Sequence, residues 1–283
     1  CVHKIHKLIV TMKHLKLMMA ALAMMMGLTM TSCFDDEDSY ETVITSIAKL
    51  KQGLAGGYEF VTTEGFVIIP DAASVSKMES NNKIKMEDYL NEVCYVIYSV
   101  EGKDPIKKED TSIKDVTLEG FTSLSQTVEI VSEKGAANDS INKAAIISLG
   151  KDINEHTKPS LFDQSTVFLC IDYFMVNKQH SFTLVNYGVD ELVEEGVLTL
   201  YLRHNNNGDS MQNTTSTAYY WANQGYVWSF YHAFDITRPL MDYQLKYGKK
   251  PEAIGIVTME NLNSPSLEQA KEFTHYIEYK EKK

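Results

Sequence analysis

The chain has 283 residues, with 27 Lys and Arg against 38 Asp and Glu, for a formal net charge of −11. That balance argues against nucleic acid as a partner, because no counter-charge is available for phosphates. The length suffices for one or two hydrophobic cores.

The N-terminal region, residues 1–32, has the layout of a secretory signal. Met12 is the candidate start, Lys13 and Lys16 make a positive stretch, and Leu17–Met30 (LMMAALAMMMGLTM) is uncharged but too short to span a bilayer. Small residues then lead into a cysteine: Met30-Thr31-Ser32-Cys33 resembles the lipobox of bacterial lipoproteins, in which cleavage precedes the Cys and its thiol is acylated. Each buried acyl methylene contributes about 0.8 kcal/mol, so two or three chains hold a soluble body on a membrane without a transmembrane helix. All 38 acids but only 23 of the bases follow Cys33, which leaves the mature chain at −15. Four of those acids, Asp35, Asp36, Glu37 and Asp38, directly follow the Cys. They resemble the acidic export signal of Bacteroidetes lipoproteins, which implies an outer-membrane protein facing the cell surface.

Residues 33–53 are expected to form the lipidated Cys and a tether. From Gly57 the texture becomes strand-like, with GYEFVTTEGFVIIP punctuated by Gly and Pro. The polar piece DAASVSKMESNNK interrupts the strands, and KMEDYLNE (Lys85–Glu92) is expected to form a short helix. VCYVIYSVEG and IKDVTLEGFTSLSQTVEIVSEKG continue as β-rich segments, and the polar, proline-containing KDINEHTKPS is the expected boundary. The domains are thus expected at 54–155 and 156–283.

The second half alternates more cleanly. STVFLCIDYFMV is long and apolar, and HSFTLVNY sets Phe182 and Leu184 against Ser181 and Thr183. VLTLYLRHN sets Leu198, Leu200 and Leu202 against Thr199, Tyr201 and Arg203. NNNGD (Asn205–Asp209) superficially resembles a calcium loop, but it lacks the terminal bidentate Glu and reads as a tight turn. YVWSFYHAFDI, AIGIVTM and FTHYIEYK complete the set, with SPSLEQAKEF expected to hold one helical turn. About six half-solvated alternating strands in succession predict an antiparallel β-sandwich.

The acidic lipoprotein junction, the β-rich first half and the segments HSFTLV, LYLRHNNNGD and HAFDI together resemble the NigD-like family of Bacteroidetes lipoproteins. The resemblance covers essentially the whole mature chain. It implies an all-β protein, an N-terminal OB-like barrel followed by a C-terminal antiparallel β-sandwich, and it carries no established activity.

Searches for chemistry return little. GxSxG, HExxH and a glycine-rich phosphate loop are missing, and GLAGG lacks the Lys and helix that would make it one. No catalytic residue, metal or other cofactor is expected. His180, His204 and His232 lie on separate strands and could converge, but no local ligand pair accompanies them. Cys94 and Cys170 each sit in an apolar run and read either as buried free thiols or as a disulfide. Tyr219, Trp221 and Tyr231, in the aromatic-rich segment Tyr219–His232, either fill the core or form a stacking platform for sugar rings. Ser140 and Ser210, each in an Asp-Ser-apolar triplet within an expected turn, match a permissive O-glycosylation pattern. These readings describe a non-enzymatic cell-envelope lipoprotein: a surface-exposed module that binds or assembles with an envelope protein. The second reading is a glycan-binding accessory of an outer-membrane uptake system.

Overall fold

The computed structural model describes residues 41–53, 56–102, 106–107, 109–131, 141–150, 158–189, 192–209 and 227–279. The chain divides into two units, Cys1–Ser123 and Leu124–Lys283.

In the first unit, ETVITSIAKLKQ alternates and forms β1 (Glu41–Gln52), which turns Ile44, Ala48 and Leu50 to one side. Much of the expected tether is therefore structural: residues 41–52 pair with β2 (Tyr58–Thr62) on one edge and β4 (Val93–Glu101) on the other. With β3 (Val67–Pro70) and β5 (Ser112–Ser123) the order is β1-β2-β3-β5-β4, closed on itself. This is the expected barrel. All its ladders are antiparallel except β3 with β5.

The polar piece expected only to interrupt strands is instead α1 (Ala72–Asn82). Asp71 caps it, its carboxylate accepting from the Ser74 amide at 2.8 Å, and Val75 and Met78, three residues apart, are buried on one face. Two apolar residues at helical spacing outweigh the polar composition, because only one stripe needs to meet the core. The expected helix at Lys85–Glu92 is a single 3-10 turn, Met86–Tyr89, which buries Met86. Leu50, Phe60, Ile68, Met86, Val96, Tyr98 and Leu118 fill the barrel.

The second unit is built from β6 (Ser125–Ile130), β7 (Ser148–Leu149), β8 (Ser160–Asp163), β9 (Thr166–Phe174), β10 (Ser181–Asn186), β11 (Val197–Asn205), β12 (Val227–Asp235), α2 (Thr237–Tyr247), β13 (Ala253–Glu260) and β14 (Lys271–Glu278). The strand order is β14-β13-β11-β10-β6-β12-β9-β7, with β8 paired to β9. β6 is the corner of this sandwich. Ser125 and Gln126 pair with β12 in one layer, and Thr127–Ile130 pair with β10 in the other.

That role moves the boundary. The division falls after Ser123 and not at residue 155, because residues 125–130 and 146–149 are hydrogen-bonded into the sandwich. The sheet is also less uniform than expected: β6 runs parallel to β10 and β12, and β11 runs parallel to β13, among otherwise antiparallel ladders. Alternation records only which face is buried, so it cannot report a neighbour's direction. Likewise α2 carried no recognised signal, and the helical turn expected at 264–273 is loop running into β14. Between the layers lie Leu169, Ile171, Phe182, Leu184, Leu198, Leu200, Leu202, Phe234, Ile254 and Ile256.

Candidate functional site

The sandwich strands that alternate so cleanly also deliver polar residues to the core. On β11 the inward series Leu198, Leu200, Leu202 continues to His204, and β10 pairs Phe182 with His204. His180, two residues before Phe182, reaches the same place. His180 Nδ1 and His204 Nε2 stand 2.8 Å apart. The other nitrogen of His180, Nε2, is 3.2 Å from Oδ2 of Asp209, and the other nitrogen of His204, Nδ1, is 3.3 Å from the carbonyl oxygen of Ala145. The side chains of His180 and Asp209 are 1% and 2% exposed.

Hydrogen positions follow from this chain of contacts. The carbonyl of Ala145 can only accept, so His204 carries its hydrogen on Nδ1 and accepts at Nε2; His180 must then donate from Nδ1. Asp209 also accepts from the amides of Val176 (2.6 Å, at Oδ2) and Asn177 (3.3 Å, at Oδ1). Burial pulls both imidazoles below their ordinary range. For His180 the carboxylate of Asp209 opposes burial; for His204 burial and the neighbouring His180 take the value down to about 3.

The third histidine does not join them. His232 lies 4.7 Å from the ring of Phe182, which is itself 4.6 Å from His204. Its Nε2 is buried without a hydrogen-bond partner, and burial holds its pKa down to about 3. Of the three rings that could have converged, two bond to each other directly, and the third packs against Phe182. Among the described residues no three His, Cys, Asp or Glu side chains are arranged to hold a metal ion. The Asp-His-His chain ends on a backbone carbonyl, and its members are buried.

A second polar group lies on the outward-facing side of β9. Asp172 accepts from Ser148 (2.9 Å) and from Ser229. Cys170 lies two residues away on the same strand, its thiol pushed up to about 12 by burial, with Asp172 adding to the shift. Cys94 is likewise buried, and both cysteines are free thiols. A thiol held protonated in this way is a small hydrophobe and not a nucleophile.

Among the aromatics, Trp228 and Phe230 pack against the core, and the Trp228 indole donates to the carbonyl of Met175 at 3.2 Å. Tyr231 is half-buried and lies flat on Phe168, with ring centres 5.1 Å apart and planes within 3°. One of its ring faces is therefore occupied. Tyr219, Trp221, Ser140, Ser210, Cys33, Asp35, Asp36, Glu37 and Asp38 lie outside the described residues. The NNNGD turn takes shape as expected. Asn207 and Gly208 adopt φ of 52° and 66°, Asn205 and Asn206 side chains accept from the amides of Asn207 and Gly208, and Lys178 binds the carbonyls of Asn207 and Gly208. What sequence reasoning missed is that the last residue of this turn aims its carboxylate back at His180. The Phe182–His204 pairing was implicit in the alternation, but a contact made through a turn was not.

The sequence matches no family model and no functionally characterised protein. Several solved structures are similar to it. One is a candidate lipoprotein from Bacteroides fragilis NCTC 9343, 24% identical, which the match covers in full along with 86% of this chain, at a TM-score of 0.62. The two chains share a fold. A NigD-like immunity protein from Bacteroides caccae ATCC 43185 is also among the similar structures, at 13% identity, 85% of this chain, 94% of that chain and a TM-score of 0.43. A protein of unknown function from Bacteroides vulgatus ATCC 8482 shows 14% identity and a TM-score of 0.48 over 85% of this chain and 92% of that one. Of these similar structures, one is named as a candidate lipoprotein and one as NigD-like.

Proposed function

We propose that this protein is a non-enzymatic lipoprotein of the cell envelope, anchored through Cys33 to the outer membrane and directed to its outer face by Asp35–Asp38. The body behind the anchor is a barrel and a sandwich that serve as a binding or assembly module. The observation that carries this reading is the order of the N-terminal segments: a positive stretch, an apolar run, small residues, a cysteine and then four consecutive acids. A shared fold with a candidate lipoprotein supports it. Among the described residues no helix is long and apolar enough to cross a membrane.

The test is fractionation and surface proteolysis in a Bacteroidetes host. Cys33→Ala is expected to release the protein from the membrane fraction and abolish incorporation of labelled palmitate. Replacement of Asp35, Asp36, Glu37 and Asp38 by Ala should keep the lipid and lose sensitivity to external protease. Membrane retention in Cys33→Ala overturns the anchor, and unchanged protease sensitivity overturns the surface address.

A further inference from the structure

The Asp209–His180–His204 chain joins three pieces of backbone that are far apart in sequence. Asp209 ends the turn after β11 and holds the amides of Val176 and Asn177, in the connection from β9 to β10. His204 holds the segment before β7 on several atoms: its ring faces the carbonyl of Ala145, its amide donates to Asn142 Oδ1 (3.1 Å), and its carbonyl accepts from the amide of Lys143 (2.7 Å). His180 ties the two sets together.

We propose that this chain is an acid-released clasp: with His204 neutral it fastens the turn ending at Asp209, the β9–β10 connection and residues 142–145 at one end of the sandwich, and it lets go when His204 gains a second ring proton.

The reasoning is a count of hydrogens. Three junctions link Ala145, His204, His180 and Asp209, and two neutral rings supply hydrogens for only two of them. One further proton can enter between His180 Nε2 and Asp209 without breaking a hydrogen bond. The next has nowhere to go. His204 already donates from Nδ1, and its Nε2 is the acceptor for His180, so protonating it sets two N–H groups against each other at 2.8 Å.

The surroundings of His204 are packed rings and carboxylates already bonded to other groups. Tyr173 on β9 presents its ring 5.1 Å from His180 and 5.6 Å from His204. β10 presents Phe182, and β12 presents His232 against Phe182, a ring that burial keeps uncharged and that brings no negative charge. Glu260 on β13 is taken up by His275 (2.6 Å) and Thr258 (2.8 Å), and Lys178 is engaged with turn carbonyls on the exposed side. Asp209, the nearest carboxylate, is bonded to His180 and not to His204.

The sign follows from linkage. A histidine whose pKa is lowered in the closed state contributes stability above its free value, about 6.5, and loses it as pH falls. Each pH unit below that value, down to the closed-state pKa of about 3, should raise the opening equilibrium about tenfold for His204.

Amide hydrogen exchange on the full chain tests this. Protection of the Val176, Asn177 and His204 amides, corrected for intrinsic exchange, is expected to fall about tenfold per unit between pH 6 and 4. The β9–β12 ladder should remain the better protected at every pH. Constant protection of those three amides, or exchange at the same rates as the ladder, overturns the clasp. His204→Gln supplies a donor and an acceptor without a titrating ring, and it should flatten the pH response. If that variant does not fold, ¹⁵N shifts of the histidine rings in the parent protein decide. A neutral His204 with its hydrogen on Nδ1 at pH 6 is the expected result. A doubly protonated His204 with the three amides still protected overturns the proposal.

Discussion

The ring of Phe182 lies 4.6 Å from that of His204 and within 16° of parallel to it. An apolar ring stacked on an imidazole removes water from that face, and the weak attraction of its π face for a cation does not replace the lost hydration, so the pair suits a neutral histidine. His232 also packs on Phe182, tilted at 48° with ring centres 4.7 Å apart, and has an unpaired buried Nε2 besides. Two rings in one core are thus folded into their uncharged form.

Acid should therefore weaken the sandwich. His204 and His232 are both held down to about 3, against about 6.5 in the unfolded chain, so their contribution is complete above 6.5 and falls away below it. Between pH 7 and pH 5 each ring is expected to cost about 2 kcal/mol of unfolding free energy. Urea denaturation of the full chain at the two pH values measures this, with the sandwich transition moving to lower urea. An unchanged midpoint would show that these rings are already charged, or exposed, in the folded protein.

Removing the unpaired nitrogen should help. His232→Leu replaces a ring that leaves Nε2 without a partner by an apolar side chain of similar reach, and it is expected to raise stability at pH 7 by roughly 1 kcal/mol. It should also remove one ring's share of the acid sensitivity. Loss of stability at neutral pH would mean that His232 has a partner, such as a buried water, that the variant deprives of its bond.

In the barrel, Asp71→Ala should cost about 1 kcal/mol, because the Ser74 amide at the start of α1 loses its acceptor. The bond from that amide also lowers the Asp71 pKa, so the cap is present above the ordinary carboxylate range and lost as pH falls through the lowered value. Asp71→Asn, which keeps a side-chain oxygen, is expected to retain most of the stability at pH 7. Thermal melts of the three proteins separate these outcomes, and equal Tm values would remove the cap from the account of α1.

Cys94 and Cys170 are expected to resist alkylation in the native protein at pH 8 and to react once it is unfolded. Burial raises both thiols, Cys170 to about 12 and Cys94 further. Mass spectrometry after iodoacetamide treatment reads this directly. Rapid native labelling of either would show that its strand opens, or that its face is uncovered.

Affinity electrophoresis against polysaccharides addresses the second sequence-based role. One ring face of Tyr231 is covered by Phe168, which removes half of what a stacking platform would use. The module reading expects no retardation. Saturable retardation lost in Trp221→Ala would restore a glycan role to this segment.

Much of the fold was legible before any coordinates. The face alternation of HSFTLVNY and VLTLYLRHN places Phe182, Leu184, Leu198, Leu200 and Leu202 in the core, where they lie. It also places Arg203 on the outward side, where its guanidinium donates to the Tyr187 hydroxyl (2.8 Å). Illegible were the elements whose signal is short or mixed. β1 was hidden because its alternation runs through Thr, Ser and Lys, and α1 because two apolar residues suffice to dock it. Strand direction in β6 and β11 was beyond reach, since burial periodicity is the same for either direction.

By itself, the sequence determined the β-rich character and the inward faces of the strands. Each of these is written in local order: period, spacing and the succession of charge and apolarity along the chain. Only the tertiary structure decided that β6 turns the corner of the sandwich. It alone decided that His180 and His204 bond to each other while Phe182 keeps His232 apart, and that Asp209 closes the chain from a turn. The hydrogen bonds among them join residues 24 to 59 positions apart, and the β6 pairings join residues as far apart or farther, which no local pattern encodes. The physical reason is that hydrogen-bond partners in a core are chosen by strand register and turn geometry together, and each is settled only when the layers close.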